Sequence, residues 1–328
     1  MKKIAALAAV GVAALAARRY LAMRDALAQV EPELRSPALP FVTVTHSDKT
    51  LSVLRAVYRV KSSPGSGVNV AMRTIGDPGI RVLVTTPDGH RTKRPAVLSL
   101  HGGGMIVGSP QLEQMNHGRL ARDLGAVVVA PDYRLAPENP FPAALDDCMT
   151  TLAWMREHAD ELGIDADRIA VTGLSAGGGL AAAVAQRSHD EGIALRAQGL
   201  VYPMLDDRTV LNGDAEGRGR IVWTPESNRF AWTAYLGREP RMSDAPAYAA
   251  PARRDDLSGL PPAWIGVGEL DLYYGEDVAY AEKLRACGVP CELITVPRMY
   301  HAADGYARKA PSMETFIQGL VNHLKAHL

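Results

Sequence analysis

The stretch "RIAVTGLSAGGGLAAAVAQR", Arg168–Arg187, joins two different patterns around one hydroxyl, that of Ser175. The residues before it form a short apolar, β-branched run, which reads as a strand. After it come three glycines and an alanine-rich segment with the composition of a helix. A strand that turns at once into a helix leaves the apex side chain standing clear and puts its backbone under strain. The positions two residues either side, Gly173 and Gly177, must then lack bulk, because strand and helix nearly touch there. The helix start aims free amides, Ala176 first, at any anion formed beside the hydroxyl. Gly-Leu-Ser-Ala-Gly therefore reads as a nucleophile elbow with Ser175 at its apex.

An attacking serine needs an oxyanion site, a base and an acid to orient the base. "SLHGGGMIVGS" places three consecutive glycines just after an apolar run, so backbone amides can approach a ligand closely. The expected oxyanion donors are two among Gly102, Gly103 and Gly104, joined by Ala176, with His101 orienting the loop. A dinucleotide site would need G-x-G-x-x-G opening a helix, and that pattern is absent. Four histidines follow Ser175. His189 falls at the far end of the elbow helix, and His323 and His327 on the last helix. His301, in the loop after "CELITV", is the expected base. For the acid, "AWIGVGELDLYYGED" offers Glu269, Asp271, Glu276 and Asp277 after an apolar strand. Asp271 is best placed, Glu269 is its rival, and Asp277 is expected to cap the following helix.

From Val68 onward, eight extended segments alternate with helical ones. Several extended segments are continuous apolar runs, as expected for strands covered on both faces. The fold class is α/β, a mostly parallel twisted sheet flanked by helices, with an antiparallel start where "GDPG" joins the first two strands. Two regions break the alternation. Residues 1–66 are helical and then loop-like, ending in a "SSPGSG" read as a flexible linker. Residues 206–258 form a long insertion with two tryptophans and no strand period, leaving 67–205 and 259–328 as the core domain.

The chain has 328 residues, 36 basic against 36 acidic side chains, and no long block of like charge. A nucleic-acid partner is not expected from this balance. Three cysteines without framework spacing read as reduced thiols in a cytoplasmic protein. The apolar segment Ile4–Ala17, some 21 Å of helix at about 1.5 Å per residue, is too short to span a bilayer. It is expected to be a retained helix docked on the protein or in weak contact with a membrane surface, with a signal peptide as the alternative.

Together "HGGG" at 101–104, "DYRLAPENPFPAALDD" at 132–147, "GLSAGG" at 173–178, "SGLPPAWIGVGELD" at 258–271 and "YH" at 300–301 resemble the hormone-sensitive-lipase-type esterases of the α/β-hydrolase superfamily. The resemblance runs from about Val68 to the end. It implies Ser175 as nucleophile, Asp271 as acid, His301 as base, no cofactor or metal, and a helical cap built from the N-terminal segment and residues 206–258. The implied substrate is a short- or medium-chain carboxylic ester, with an amide as alternative. A non-enzymatic receptor on the same fold is disfavoured by His301. Three positions depart from the family pattern: Leu174 before the serine, "LYYGED" after Asp271, and two alanines after His301. The cap aromatics Trp223, Phe230, Trp232 and Tyr235 suit an enclosed acyl pocket or, alternatively, a cap core. The family often dimerises, and "CELITV" is the edge strand expected to serve a homodimer.

Overall fold

The computed structural model of the chain describes residues 18–77, 79–89, 92–211 and 216–328. Eight strands form one sheet: β1 (Val68–Ile75), β2 (Ile80–Pro87), β3 (Arg94–Leu100), β4 (Val127–Pro131), β5 (Ile164–Leu174), β6 (Gln198–Val201), β7 (Ala263–Gly268) and β8 (Cys291–Val296). Their order is β1-β2-β4-β3-β5-β6-β7-β8. Only β2 runs against its neighbours, and the remaining pairings are parallel.

The continuous apolar runs are explained by two separate cores. Val97, Val128, Ala170 and Trp264 face one, and the next residue of each strand, Leu98, Val129, Val171 and Ile265, faces the other. Side chains alternate along a strand, so a strand buried on both faces is apolar at most positions, and the few polar ones, such as Thr172, must find a partner inside, here the Gly199 carbonyl. Among the described residues, beyond the helical stretch 18–29, the longer helices are α1 (Asp48–Val57), α2 (Gln114–Leu124), α3 (Ala143–Glu157), α4 (Ala176–Asp190), α5 (Pro225–Leu236), α6 (Tyr274–Ala286) and α7 (Pro311–His327). α2 and α7 cover the first face through Leu120, Phe316 and Leu320. α3, α4 and α6 cover the second through Leu152, Leu180 and Leu284. α3 ends at its C-cap His158, whose backbone leaves the helical region, and a single turn Ala159–Leu162 follows.

Residues 206–258 leave the sheet after β6 and return before β7, carrying α5, which starts on a Thr224 cap and Pro225. The N-terminal segment is tied to this insertion. Val222 donates its N–H to Thr43 Oγ1 at 2.9 Å, and His46 donates its N–H to Ser227 Oγ at 3.0 Å. The 62–67 stretch is not a free linker, because Arg122 on α2 donates to the carbonyls of Pro64 and Ser66. The apolar Ile4–Ala17 segment lies outside the described residues. Among the described residues no helix is long and apolar enough to cross a membrane. Cys148, Cys287 and Cys291 are free thiols, and β8 occupies one sheet edge.

Candidate active site

Ser175 sits between the end of β5 and the first turn of α4 at φ 56° and ψ −119°, a backbone state that non-glycine residues rarely adopt. The two glycines around it are sterically required. A Cβ on Gly173 would lie 2.1 Å from the Gly177 carbonyl oxygen, and one on Gly177 would lie 2.0 Å from that of Leu100. The tight crossing of strand and helix is thus built on the missing side chains.

His301 Nε2 lies 2.9 Å from Ser175 Oγ, and His301 Nδ1 lies 2.8 Å from Asp271 Oδ2. An ionised carboxylate only accepts, so the imidazole carries its proton on Nδ1 and turns the Nε2 lone pair to the hydroxyl. Asp271 is fully buried, and its other oxygen accepts the Tyr273 N–H at 3.0 Å. Tyr202 and Tyr273 hold the imidazole ring edge-on, with centroids 4.8 Å and 5.3 Å away.

The other sequence candidates lie elsewhere. Glu269 is exposed and its carboxylate accepts the Arg298 N–H, away from His301, because β7 ends at Gly268 and the chain turns before Asp271. Asp277 is not a helix cap: α6 begins at Tyr274, leaving Asp277 inside its first turn, fully buried, with neither carboxyl oxygen paired among the described residues. Burial, then the nearby Glu276 and Asp271, push its pKa up and favour the neutral acid. Glu276 accepts from the Leu205 and Asp206 amides and from Thr209, fixing the chain where the insertion leaves the core. His189 packs beside Gly259, and His323 bonds the Pro262 carbonyl, both away from Ser175.

The glycine loop is held peptide by peptide. His101 Nδ1–H donates to the Gly102 carbonyl at 2.9 Å, and Ile106 and Val107 donate to that of Gly103 at 3.1 Å and 3.0 Å. In a trans peptide the N–H points opposite the C=O. The Gly103 and Gly104 amides therefore face away from these clamps. The Gly102 amide, one of the expected oxyanion donors, is already engaged: it donates to Glu113 Oε1 at 2.9 Å. Gly102 lines the site without an N–H to offer, which leaves Gly103, Gly104 and Ala176 as available donors. His101 is buried and stacked on Tyr133 at 4.0 Å, and burial lowers its pKa to about 4. It orients the loop as a neutral ring.

A family model described as alpha/beta hydrolase fold matches residues 97–304. The chain belongs to the alpha/beta-hydrolase family. Within it, the chain is an esterase of the hormone-sensitive-lipase type. It is 34% identical over 275 residues to Esterase LipI of Mycobacterium tuberculosis (strain ATCC 25618 / H37Rv), covering 80% of this chain and 85% of that protein. It is 34% identical over 267 residues to the Ethyl acetate hydrolase of Pseudomonas putida, covering 74% of this chain and 80% of that one. Among solved structures, "Bacterial Heroin Esterase" superposes with a TM-score of 0.84 at 33% identity, covering 92% of this chain and 99% of that chain.

In this hydrolase a cavity of 360 Å³ opens beside Ser175. The N-terminal segment lends Tyr58 and Ser62, the insertion lends Val222 and Trp223, and the loop after His301 lends Ala302, Asp304 and Tyr306. The four aromatics of the insertion part company: Trp223 lines the cavity over Gly104, whereas Trp232 and Tyr235 are fully buried core and Phe230 is half-buried outside it. Tyr202 donates to Asp304 at 2.6 Å along the same wall. Glu113, Tyr202 and Asp304 are cavity residues that sequence reasoning missed. The only signal for Asp304 is its place one turn after His301. Among the described residues no three His, Cys, Asp or Glu side chains gather as a metal-binding group.

Proposed function

We infer that this chain is a serine carboxylesterase that cleaves short- to medium-chain carboxylic esters through an acyl-enzyme. Ester hydrolysis accords with the alpha/beta-hydrolase family and with relatives described as esterase and ethyl acetate hydrolase. His301 Nε2 takes the proton of Ser175 as its Oγ attacks the ester carbonyl carbon. The oxyanion is received by the amides of Gly103, Gly104 and Ala176, and one such donor is worth about 3 kcal/mol of barrier. Asp271 holds the Nδ1–H and stabilises the imidazolium. The imidazolium then returns its proton to the departing alkoxide, and alcohol leaves. Water, activated by the same Nε2, attacks the acyl-enzyme, and the carboxylic acid is released.

The observation that carries this reading is the unbroken hydrogen-bond chain from Ser175 Oγ through His301 to Asp271. Residues 18–66 and 206–258 act together as a cap, since each contributes side chains to the cavity. Small-molecule sites range over about 300–1,000 Å³, so a 360 Å³ cavity favours small esters. The test is a chain-length series of p-nitrophenyl esters on wild type and Ser175→Ala. Activity should peak at short or medium acyl chains and vanish in the variant. Retained activity in Ser175→Ala, or a rate rising steadily toward long chains, contradicts the assignment.

A further inference from the structure

Glu113 stands where the glycine loop meets α2, at the residue preceding the helix. Its stem borders the cavity and is partly exposed, but Oε2 is closed off from solvent and has no partner among the described residues. Oε1 accepts the Gly102 N–H. No Lys or Arg pairs with it among the described residues, which is unusual for a shielded carboxyl. The peptide joining His101 and Gly102 is thereby gripped at both ends: Tyr133 donates to its carbonyl at 2.7 Å, and Glu113 takes its N–H. Gly102 in turn leaves no slack against the nucleophile, since a Cβ there would lie 3.0 Å from the Leu174 carbonyl oxygen and 3.6 Å from Ser175 Cβ.

We propose that Glu113 is a positioning residue for ester hydrolysis: by holding the Gly102 amide it sets the aim of the Gly103 and Gly104 amides at the oxyanion. This rests on the esterase reading of Ser175 given above. A glycine loop has little stiffness of its own, so its donors need an external anchor to be preorganised.

The anchor works in its neutral form. Burial pushes the Glu113 carboxyl up to about 8, with the Gly102 N–H opposing and the Asp304 charge adding to the rise. The proton then resides on Oε2, and Oε1 is the carbonyl oxygen that accepts. The ionisable groups around it are Asp304 and Tyr202 across the cavity, Tyr133 and His101 at the strand ends, and His117 on α2. Among the described residues, the cation lining the cavity is Arg308, which interacts with Asp304. Losing the Glu113 proton adds a negative charge beside the place where another must develop, which slows the acyl-transfer step on the alkaline side.

The experiment measures kcat and KM for p-nitrophenyl butyrate between about pH 6 and 9.5 in wild type, Glu113→Ala, Glu113→Gln and Ser175→Ala. Glu113→Ala should lose about tenfold to a hundredfold in kcat at neutral pH with KM held within about threefold. Glu113→Gln keeps an uncharged acceptor and should restore kcat to within about threefold of wild type, without the fall that wild type shows above about pH 8. An alanine variant within about twofold of wild-type kcat overturns the proposal. So does a glutamine variant with an unchanged alkaline fall, a comparison that stands even where the alanine variant does not fold. If Ser175→Ala itself stays active, the reading of the whole site has failed. If it is dead while Glu113→Ala is intact, only the role of Glu113 has failed.

Discussion

Asp271 gives one carboxylate oxygen to His301 Nδ1 at 2.8 Å and the other to the amide of Tyr273 at 3.0 Å. Both oxygens are thus committed before substrate arrives, and the imidazole cannot turn its Nδ1–H elsewhere. Replacing Asp271 with Asn puts a donor where an acceptor is needed and selects the wrong tautomer. A loss on the order of 10⁴ in kcat is expected for Asp271→Asn, the size of effect that this change has in a chymotrypsin-type triad. Glu269→Gln should stay within about twofold, since that carboxylate is exposed and accepts the Arg298 amide, not the imidazole. Steady-state kinetics on the two variants separates them, and the reverse order of loss reassigns the acid.

The elbow should respond to the addition of a single methyl group. Gly177→Ala drives a Cβ to 2.0 Å from the Leu100 carbonyl oxygen, which neither strand nor helix can relieve locally. Loss of several kcal/mol, on the order of 3 or more, and failure to recover soluble enzyme are expected. Gly275→Ala on α6 meets nothing within 4 Å and adds helix propensity, so it should gain about 0.5 kcal/mol. Thermal melts of the pair check the contrast, and a Gly177→Ala protein as stable as wild type contradicts it.

Ala302 follows His301 in the left-handed region, at φ 60° and ψ 29°. A Cβ in that region costs about 1 kcal/mol or more, which glycine avoids at some expense in chain entropy. Ala302→Gly is expected to raise Tm by a few degrees, on the order of 0.5–1 kcal/mol. A lower Tm contradicts the assignment of strain to this residue.

Three buried histidines should make the fold sensitive to acid. Burial lowers His46 and His101 to about 4 and His117 to about 3. The unfolded chain binds these protons near pH 6.5, about the ordinary histidine value, whereas the folded chain resists them until its own lower values are reached. Stability is therefore complete above about pH 6.5 and declines as pH falls toward 4. Among the described residues neither ring nitrogen of His117 has a partner, so His117→Leu removes this penalty without orphaning another group there. The variant's Tm relative to wild type should be higher at pH 5 than at pH 7.5. An equal difference at both pH values refutes the role of His117.

Much of this architecture is legible in the sequence because the strands are buried twice over. Val127–Pro131 and Ala263–Gly268 have no polar position to confuse the pattern, and the Ser175 elbow is written in obligatory glycines. What escapes is whatever depends on distant loops arriving together. Glu113 reads as part of a polar helix start in "QLEQMNHG", and only the folded loop brings it to the Gly102 amide. Asp277 looks like a cap because an acid near a helix start ordinarily is one, yet α6 begins at Tyr274, four residues before the Val278 that such a cap implies. Trp223 and Trp232 lie nine positions apart in an insertion without strand period, so nothing local tells cavity wall from core.

The most direct test of Ser175 as the attacking group is covalent capture of the nucleophile. The enzyme is treated with an organophosphate ester, digested, and mapped by tandem mass spectrometry, in parallel with Ser175→Ala. The expected result is a single phosphoryl adduct on the peptide carrying Ser175, with loss of activity in step with its formation and no adduct in the variant. An adduct on a different residue, or inhibition that proceeds equally in Ser175→Ala, contradicts the claim that this hydroxyl attacks.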